Sequence, residues 1–187
     1  MILSLLELLY LLLTVLVVGY IFTGVVQRPR VRSDLDYLVS RFSWDDFWYA
    51  CLVASPGIIL HELAHKFVAL GFGLSAVYQV WPTGLFIGVL LKLLGSGFML
   101  LAPGYVSILG GDALSLTFSA FAGPFMNLLL WFGAWLYLRL EHVSRRGAVT
   151  AGLLKQINLW LFIFNMLPLP PLDGSKVFFG LYQLLFV

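Results

Sequence analysis

Long hydrophobic runs constrain this chain more than any other feature. Ile2 to Val26 is an apolar run of 25 residues with Glu7 as its one charge. As a helix rising about 1.5 Å per residue, such a run crosses a bilayer core of about 30 Å. A second apolar stretch extends from about Trp44 to Leu70, a third from Leu114 to Leu138 and a fourth from Ala151 to Leu167. Leu85 to Ala102 is also apolar enough to span, but Lys92 falls in its middle and Gly95 and Gly97 interrupt it. A central lysine costs at least about 2.5 kcal/mol on insertion scales. Hydrophobic residues make up 61% of the chain and charged residues 11%, with a mean hydropathy of +0.97, whereas a soluble domain is about 25% charged. The expected class is an all-α polytopic membrane protein of about four to six transmembrane helices. It would be an integral, multi-pass protein of the cell membrane, in contact with the lipid bilayer, with residues 1–187 forming a single membrane-embedded domain.

The first run is long for a signal peptide, with no Lys or Arg before it and no small-residue cleavage site after it. Residues 1–26 therefore read as the first transmembrane helix. Glu7, near its start, reads as a carboxylate at the level of the lipid headgroups. Gln27 to Ser43 follows as a polar loop, with Arg28, Arg30, Arg32 and Arg41 set against Asp34 and Asp36, suited to solvent or to anionic lipid. Ser43 reads as an N-cap, with Asp45 and Asp46 in the first turn, where the helix dipole favours anions. The net charge of +2 and the lack of a basic, aromatic-interleaved patch argue against nucleic acid as a partner. The single cysteine, Cys51, excludes an intrachain disulfide and reads as a buried core residue.

Within the second run lies His61-Glu62-Leu63-Ala64-His65, an H-E-x-x-H pattern. Residues four apart share a helix face. The two imidazoles can therefore address one metal ion, with Glu62 beside them as a general base for water. With three histidines and three glutamates in 187 residues, chance produces this pattern at odds of roughly one in a thousand or less. Polar groups at membrane depth are also expensive and mark function. Pro56-Gly57, just upstream, predicts a kink or a loosening of the helix, which Gly71 and Gly73 then end.

A catalytic zinc takes three protein ligands and keeps a position open, so a third ligand is required. Cys51 lies upstream on the same helix. Glu141 and His142 fall in a polar loop over Arg139 to Arg146, and Asp112 sits in a turn beside Gly110-Gly111. Asp34, Asp36, Asp45 and Asp46 lie at or before the start of the histidine helix. Elimination favours Asp173, held at the end of a membrane helix by Pro168, Pro170 and Pro171. Read alone, Asp173 is instead the N-cap of a short apolar helix over Ser175 to Val187. Asn127, one turn past Gly123, reads alone as the source of an interhelical hydrogen bond. Asn158 and Asn165, seven residues apart, lie on roughly one face of the fourth long run. In the difficult stretch from Leu74 to Asp112, Trp81-Pro82-Thr83-Gly84 is turn-like and Tyr105 to Ile108 has strand character.

The H-E-x-x-H motif, Gly123-Pro124-Phe125-Met126-Asn127, and Asn165-Met166-Leu167-Pro168-Leu169-Pro170-Pro171-Leu172-Asp173-Gly174 together resemble the site-2 protease family of intramembrane zinc metalloproteases. The resemblance covers Ser55 to about Phe178, with the three motifs in the family's order. It implies one zinc ion per chain, held by His61, His65 and Asp173, with Glu62 activating water. It places Asn165 at the active site, where its amide helps hold the substrate or its oxyanion, and gives Asn127 a structural or site-lining role. The family's two motif helices run antiparallel. Leu74 to Asp112 should therefore return to the side it left, as a re-entrant region, a short β-hairpin or a double crossing. No segment is long or polar enough for the PDZ or CBS-pair domain that the family often adds, so residues 44–178 resemble a minimal catalytic core.

The expected activity is hydrolysis of peptide bonds within transmembrane segments of a substrate protein. A helical substrate must first unwind, and the strand-like Tyr105 to Ile108 offers it a partner by β-addition. Two other readings use the same residues. One is a non-catalytic metal-binding scaffold, against which Glu62 argues because a structural site needs no base. The other is a small metal transporter with His61, His65 and Asp173 as a transit site.

Overall fold

The computed structural model describes residues 2–28, 42–95 and 103–186. The elements are α1 (Leu5–Phe22), α2 (Trp44–Gly71), β1 (Ser75–Val80), α3 (Pro82–Leu93), β2 (Gly104–Leu109), α4 (Ala113–Tyr137), α5 (Arg145–Asn165) and α6 (Asp173–Phe186). Among the described residues, α1, α2, α4 and α5 are long and apolar enough to cross a membrane. Most of the Arg-rich loop, including Arg30, Arg32, Asp34, Asp36 and Arg41, lies outside the described residues, as does the end of the Leu85 to Ala102 run with Gly97.

The helix ends follow their caps. Ser43 accepts the Asp46 N–H at 3.3 Å, as its N-cap reading requires. α2 runs unbroken through Pro56 for 28 residues, so the expected disruption does not divide the helix. A proline removes only one ladder donor, and packing on both sides holds the rest. α5 starts at Arg145 rather than at Ala151, because Ser144 caps it by accepting the Gly147 N–H at 3.1 Å. Asp112 caps α4, accepting the Ser115 N–H at 2.9 Å.

α2 is the central helix. Val18 of α1 packs with Ala54 and Ile58 of α2, against Ile157 and Leu161 of α5. A Cβ on Gly19 would lie 2.1 Å from Cys51 Sγ, so glycine lets α1 close onto α2 with the buried thiol in the seam. α4 packs along another face of α2.

Between α2 and α4 the chain forms an antiparallel pair, Ser75 opposite Leu109 through Val80 opposite Gly104. That pairing sets the exit of α2 beside the start of α4, the return that a hairpin provides. β2 contains the expected Tyr105 to Ile108; β1 was not foreseen. α3 has 12 residues, about 18 Å at 1.5 Å per residue and too short to span. Its Lys92 donates to the carbonyl oxygens of Tyr20 and Thr23 at the end of α1 and lies 4.3 Å from the Tyr20 ring centroid. Glu7, expected as a carboxylate near the start of the first helix, is buried and ion-paired with Lys66 of α2, because the fold brings a cation to it.

Candidate metal centre

His61 and His65 stand one turn apart on α2, with Nε2 atoms 3.0 Å from each other. Asp173 Oδ2 lies 3.1 Å from both. These three donors form a group able to hold a metal ion. Asp173 is the first residue of α6, not a cap preceding it, and its carboxylate turns to the histidines. The proline-rich turn after α5 brings it there. Gly174 permits the approach, since a Cβ would lie 2.4 Å from Leu167 O and 2.5 Å from Met166 O. On the opposite wall, a Cβ on Gly123 would lie 2.3 Å from His65 Nε2 and 2.7 Å from His61 Cε1. The glycine of the Gly123-Pro124 pair therefore lets α4 pass directly against both rings.

Proton placement shows what the cluster requires. His65 Nδ1 lies 2.7 Å from the Ser119 carbonyl oxygen, which only accepts, so Nδ1 carries the hydrogen. His61 Nδ1 lies 2.6 Å from Asn127 Oδ1. The Asn127 amide nitrogen is committed as donor to Gly57 O at 2.9 Å and to Asn158 Oδ1 at 3.0 Å, so its oxygen is the atom that faces His61. Both histidines then donate from Nδ1 and carry a bare lone pair on Nε2. Two lone pairs and a carboxylate oxygen converge with no hydrogen left to place between them. A cation relieves that repulsion, and two imidazoles with one carboxylate suit zinc. The residues present fit the ion.

The asparagines extend inward from this cluster. Asn127 makes the interhelical bonds expected of it, and one of its partners is His61. Asn158 is fully buried, donates to Leu154 O at 2.8 Å, and accepts from Asn127. Gly57 makes room for it, since a Cβ there would lie 2.7 Å from Asn158 Oδ1. The sequence places Asn158 only by its helix face, and an amide in an apolar helix is the signal that it is buried and bonded. Ser119 acts through its backbone, which no side-chain pattern reveals.

A cavity of about 710 Å³ opens beside the cluster, lined by His61, Glu62, Asp173, Asn165, Val106 and Ile108 among others. Glu62 is 8% exposed, and its carboxylate makes no hydrogen bond among the described residues. Asn165 ends α5 on the same wall, half-buried, its amide likewise without a partner among them. The eliminated candidates lie elsewhere: Cys51 against Gly19, Asp112 at the α4 cap and His142 exposed in the loop before α5.

No family model matches the chain. The "Putative zinc metalloprotease MJ0611" of Methanocaldococcus jannaschii is 36% identical over 137 residues, covering 70% of this chain and 69% of the relative. The "Putative zinc metalloprotease YwhC" of Bacillus subtilis is 31% identical over 149 residues, covering 69% of this chain and 67% of the relative. The names of both relatives state the chemistry for which the three converging donors are suited, and at this identity and coverage the chain belongs to their zinc metalloprotease family.

Proposed function

We propose that this chain is a zinc metalloendopeptidase of the site-2 protease kind, which hydrolyses peptide bonds inside membrane-embedded segments of other proteins. One observation carries the reading. A buried Glu62, without a hydrogen-bond partner among the described residues, stands beside three converging lone-pair donors, on the wall of a cavity that also presents a strand edge. The outer surfaces of the long helices support a multi-pass location in a membrane, because Leu5, Leu9, Leu12, Phe132 and Leu136 are exposed on them.

In this reading His61, His65 and Asp173 hold one zinc ion. Zinc supplies a Lewis acid that polarises a carbonyl oxygen and acidifies water. Glu62 takes a proton from the attacking water and returns it to the departing amine. Its burial, without a competing hydrogen bond among the described residues, keeps it available for both transfers. Asn165 offers its amide N–H to the substrate carbonyl oxygen as negative charge develops there. The substrate enters unwound and adds as a strand to the outer edge of β2, which faces the cavity.

The test is purified protein in detergent, wild type beside Glu62→Gln, with bound metal read by elemental mass spectrometry and cleavage read on peptides that carry a transmembrane segment. Both forms are expected to hold one zinc, and the variant to cut about 10²–10⁴-fold more slowly. Equal cleavage by both would remove Glu62 as the base. Zinc without cleavage in either would favour the scaffold, and metal flux in sealed vesicles without cleavage would favour a transporter. Proline at Val106 or at Ile108 should block strand addition, and unchanged cleavage in both variants would remove that step.

A further inference from the structure

We propose that the buried Glu7–Lys66 pair occupies the place of a third strand along the outer edge of β1. It thereby seats the sheet against the histidine helix, so that peptide is received along the β2 edge alone. This deepens the protease reading and rests on it for the peptide, though not for the edge itself.

The Trp81 N–H bonds to Pro103 O at 3.0 Å, which extends the ladder and sets its phase. Ser75, Val77, Gln79 and Trp81 therefore bond across to β2, and Ala76, Tyr78 and Val80 turn their backbone groups away from it. An outer edge of this kind is ordinarily a row of unmet donors and acceptors that invites another strand. Here Glu7 Oε1 accepts the Tyr78 N–H at 2.8 Å, and Lys66 Nζ donates to Ala76 O at 2.8 Å. The two side chains also bond to each other and are 5% and 2% exposed. One acceptor and one donor thus meet two of the outward groups that a neighbouring strand would meet. Ser4 fixes the far side of the carboxylate, its N–H bonding Glu7 Oε2 at 2.9 Å. The Tyr78 hydroxyl, 2.7 Å from the Thr14 hydroxyl on α1, pins the same residue a second time.

On β2 the same alternation turns Val106 and Ile108 outward, and their N–H groups have no partner among the described residues. Both line the cavity, whereas Glu7 and Lys66 do not. Lys66 directly follows His65, so the turn of α2 that aims an imidazole also holds the sheet. Glu7 and Lys66 are positioning residues, and they act through the height and register of β1.

The test is residue-resolved hydrogen exchange on the full chain in detergent. In the wild type the Tyr78 amide should be protected at least about 100-fold more than those of Val106 and Ile108. Equal exchange overturns the edge cap without any variant. In Glu7→Leu/Lys66→Met, Tyr78 should lose most of that protection, while Gln79, bonded across to β2, keeps most of its own. Glu7→Gln retains an acceptor oxygen and should restore Tyr78 to near wild-type protection; a loss as large as the double variant's would overturn the assignment. With zinc content unchanged, the double variant should raise KM by about tenfold, hold kcat within about threefold, and scatter the cut over neighbouring peptide bonds. An unchanged KM and a single cut site, with Tyr78 exposed, overturn the positioning role. A wild type that cuts nothing sinks the protease reading and the peptide half of this inference, and the exchange comparison still decides the edge.

Discussion

Two buried polar clusters sit on neighbouring faces of α2, anchored there by the consecutive residues His65 and Lys66. Lys66 meets Glu7, and the pair shares its remaining capacity with Ser4, Ala76 and Tyr78, so donors and acceptors balance. His61 and His65 meet Asp173, and there the balance fails, because every atom pointing inward is an acceptor. Both clusters are costly to bury. The balanced one is closed and makes structure, and the unbalanced one opens to a cavity and calls for a cation. Counting protons, rather than counting charges, tells them apart.

The largest break in this comparison is Asp173→Ala, which should strip zinc from the chain and with it all cleavage. Elemental analysis that still found one zinc would confine Asp173 to its place at the start of α6. Next is Lys66→Met, which leaves a buried carboxylate without its cation and should cost about 3–5 kcal/mol in denaturant unfolding. Glu7→Leu/Lys66→Met removes the unpaired carboxylate but leaves the Tyr78 N–H and Ala76 O unmet, so it should recover only part of that loss, and a double variant less stable than Lys66→Met would show that the lone carboxylate is not what costs stability. Gly123→Ala forces a methyl into both imidazoles, and Asn127→Leu removes the acceptor that fixes His61. Each should weaken zinc by roughly 10–100-fold in chelator competition. Wild-type affinity in Asn127→Leu would mean that His61 chooses its tautomer unaided.

The smallest effect concerns Asp112, outside both clusters. The Ser115 hydroxyl and N–H hold its carboxyl below the usual range. A depressed folded value means that the cap's contribution is present above the ordinary aspartate value near 3.9 and is lost as pH falls through the lower folded one. Thermal unfolding should weaken with acid through that window, and this component should be absent in Asp112→Asn.

Much of the fold was legible because its signals are local. Uninterrupted apolar runs become α1, α2, α4 and α5, and Ser43 is read as a cap from its neighbours. The β-branched residues Val106 and Ile108 mark β2. β1 was missed because six residues beside a helix end give too short an alternation to register alone. The ion pair of Glu7 was not legible because its partner lies 59 positions along the chain, and nothing near Glu7 announces a cation. The α5 start was set too late because Arg145 and Arg146 look like loop, although Ser144 caps them into the helix.

The same division holds at the metal centre. The spacing of His61, Glu62 and His65 determined by itself that two imidazoles and a carboxylate share one helix, because helical period is a property of the backbone. Only the tertiary structure decided that Asp173, 108 residues beyond His65, meets them, that Asn127 and Ser119 hold both Nδ1 hydrogens, and that Glu62 is left without a hydrogen-bond partner among the described residues. Those outcomes depend on α4 and α6 closing to glycine distance at Gly123 and Gly174. Such an approach is set by the packing of distant segments, and no local pattern encodes it.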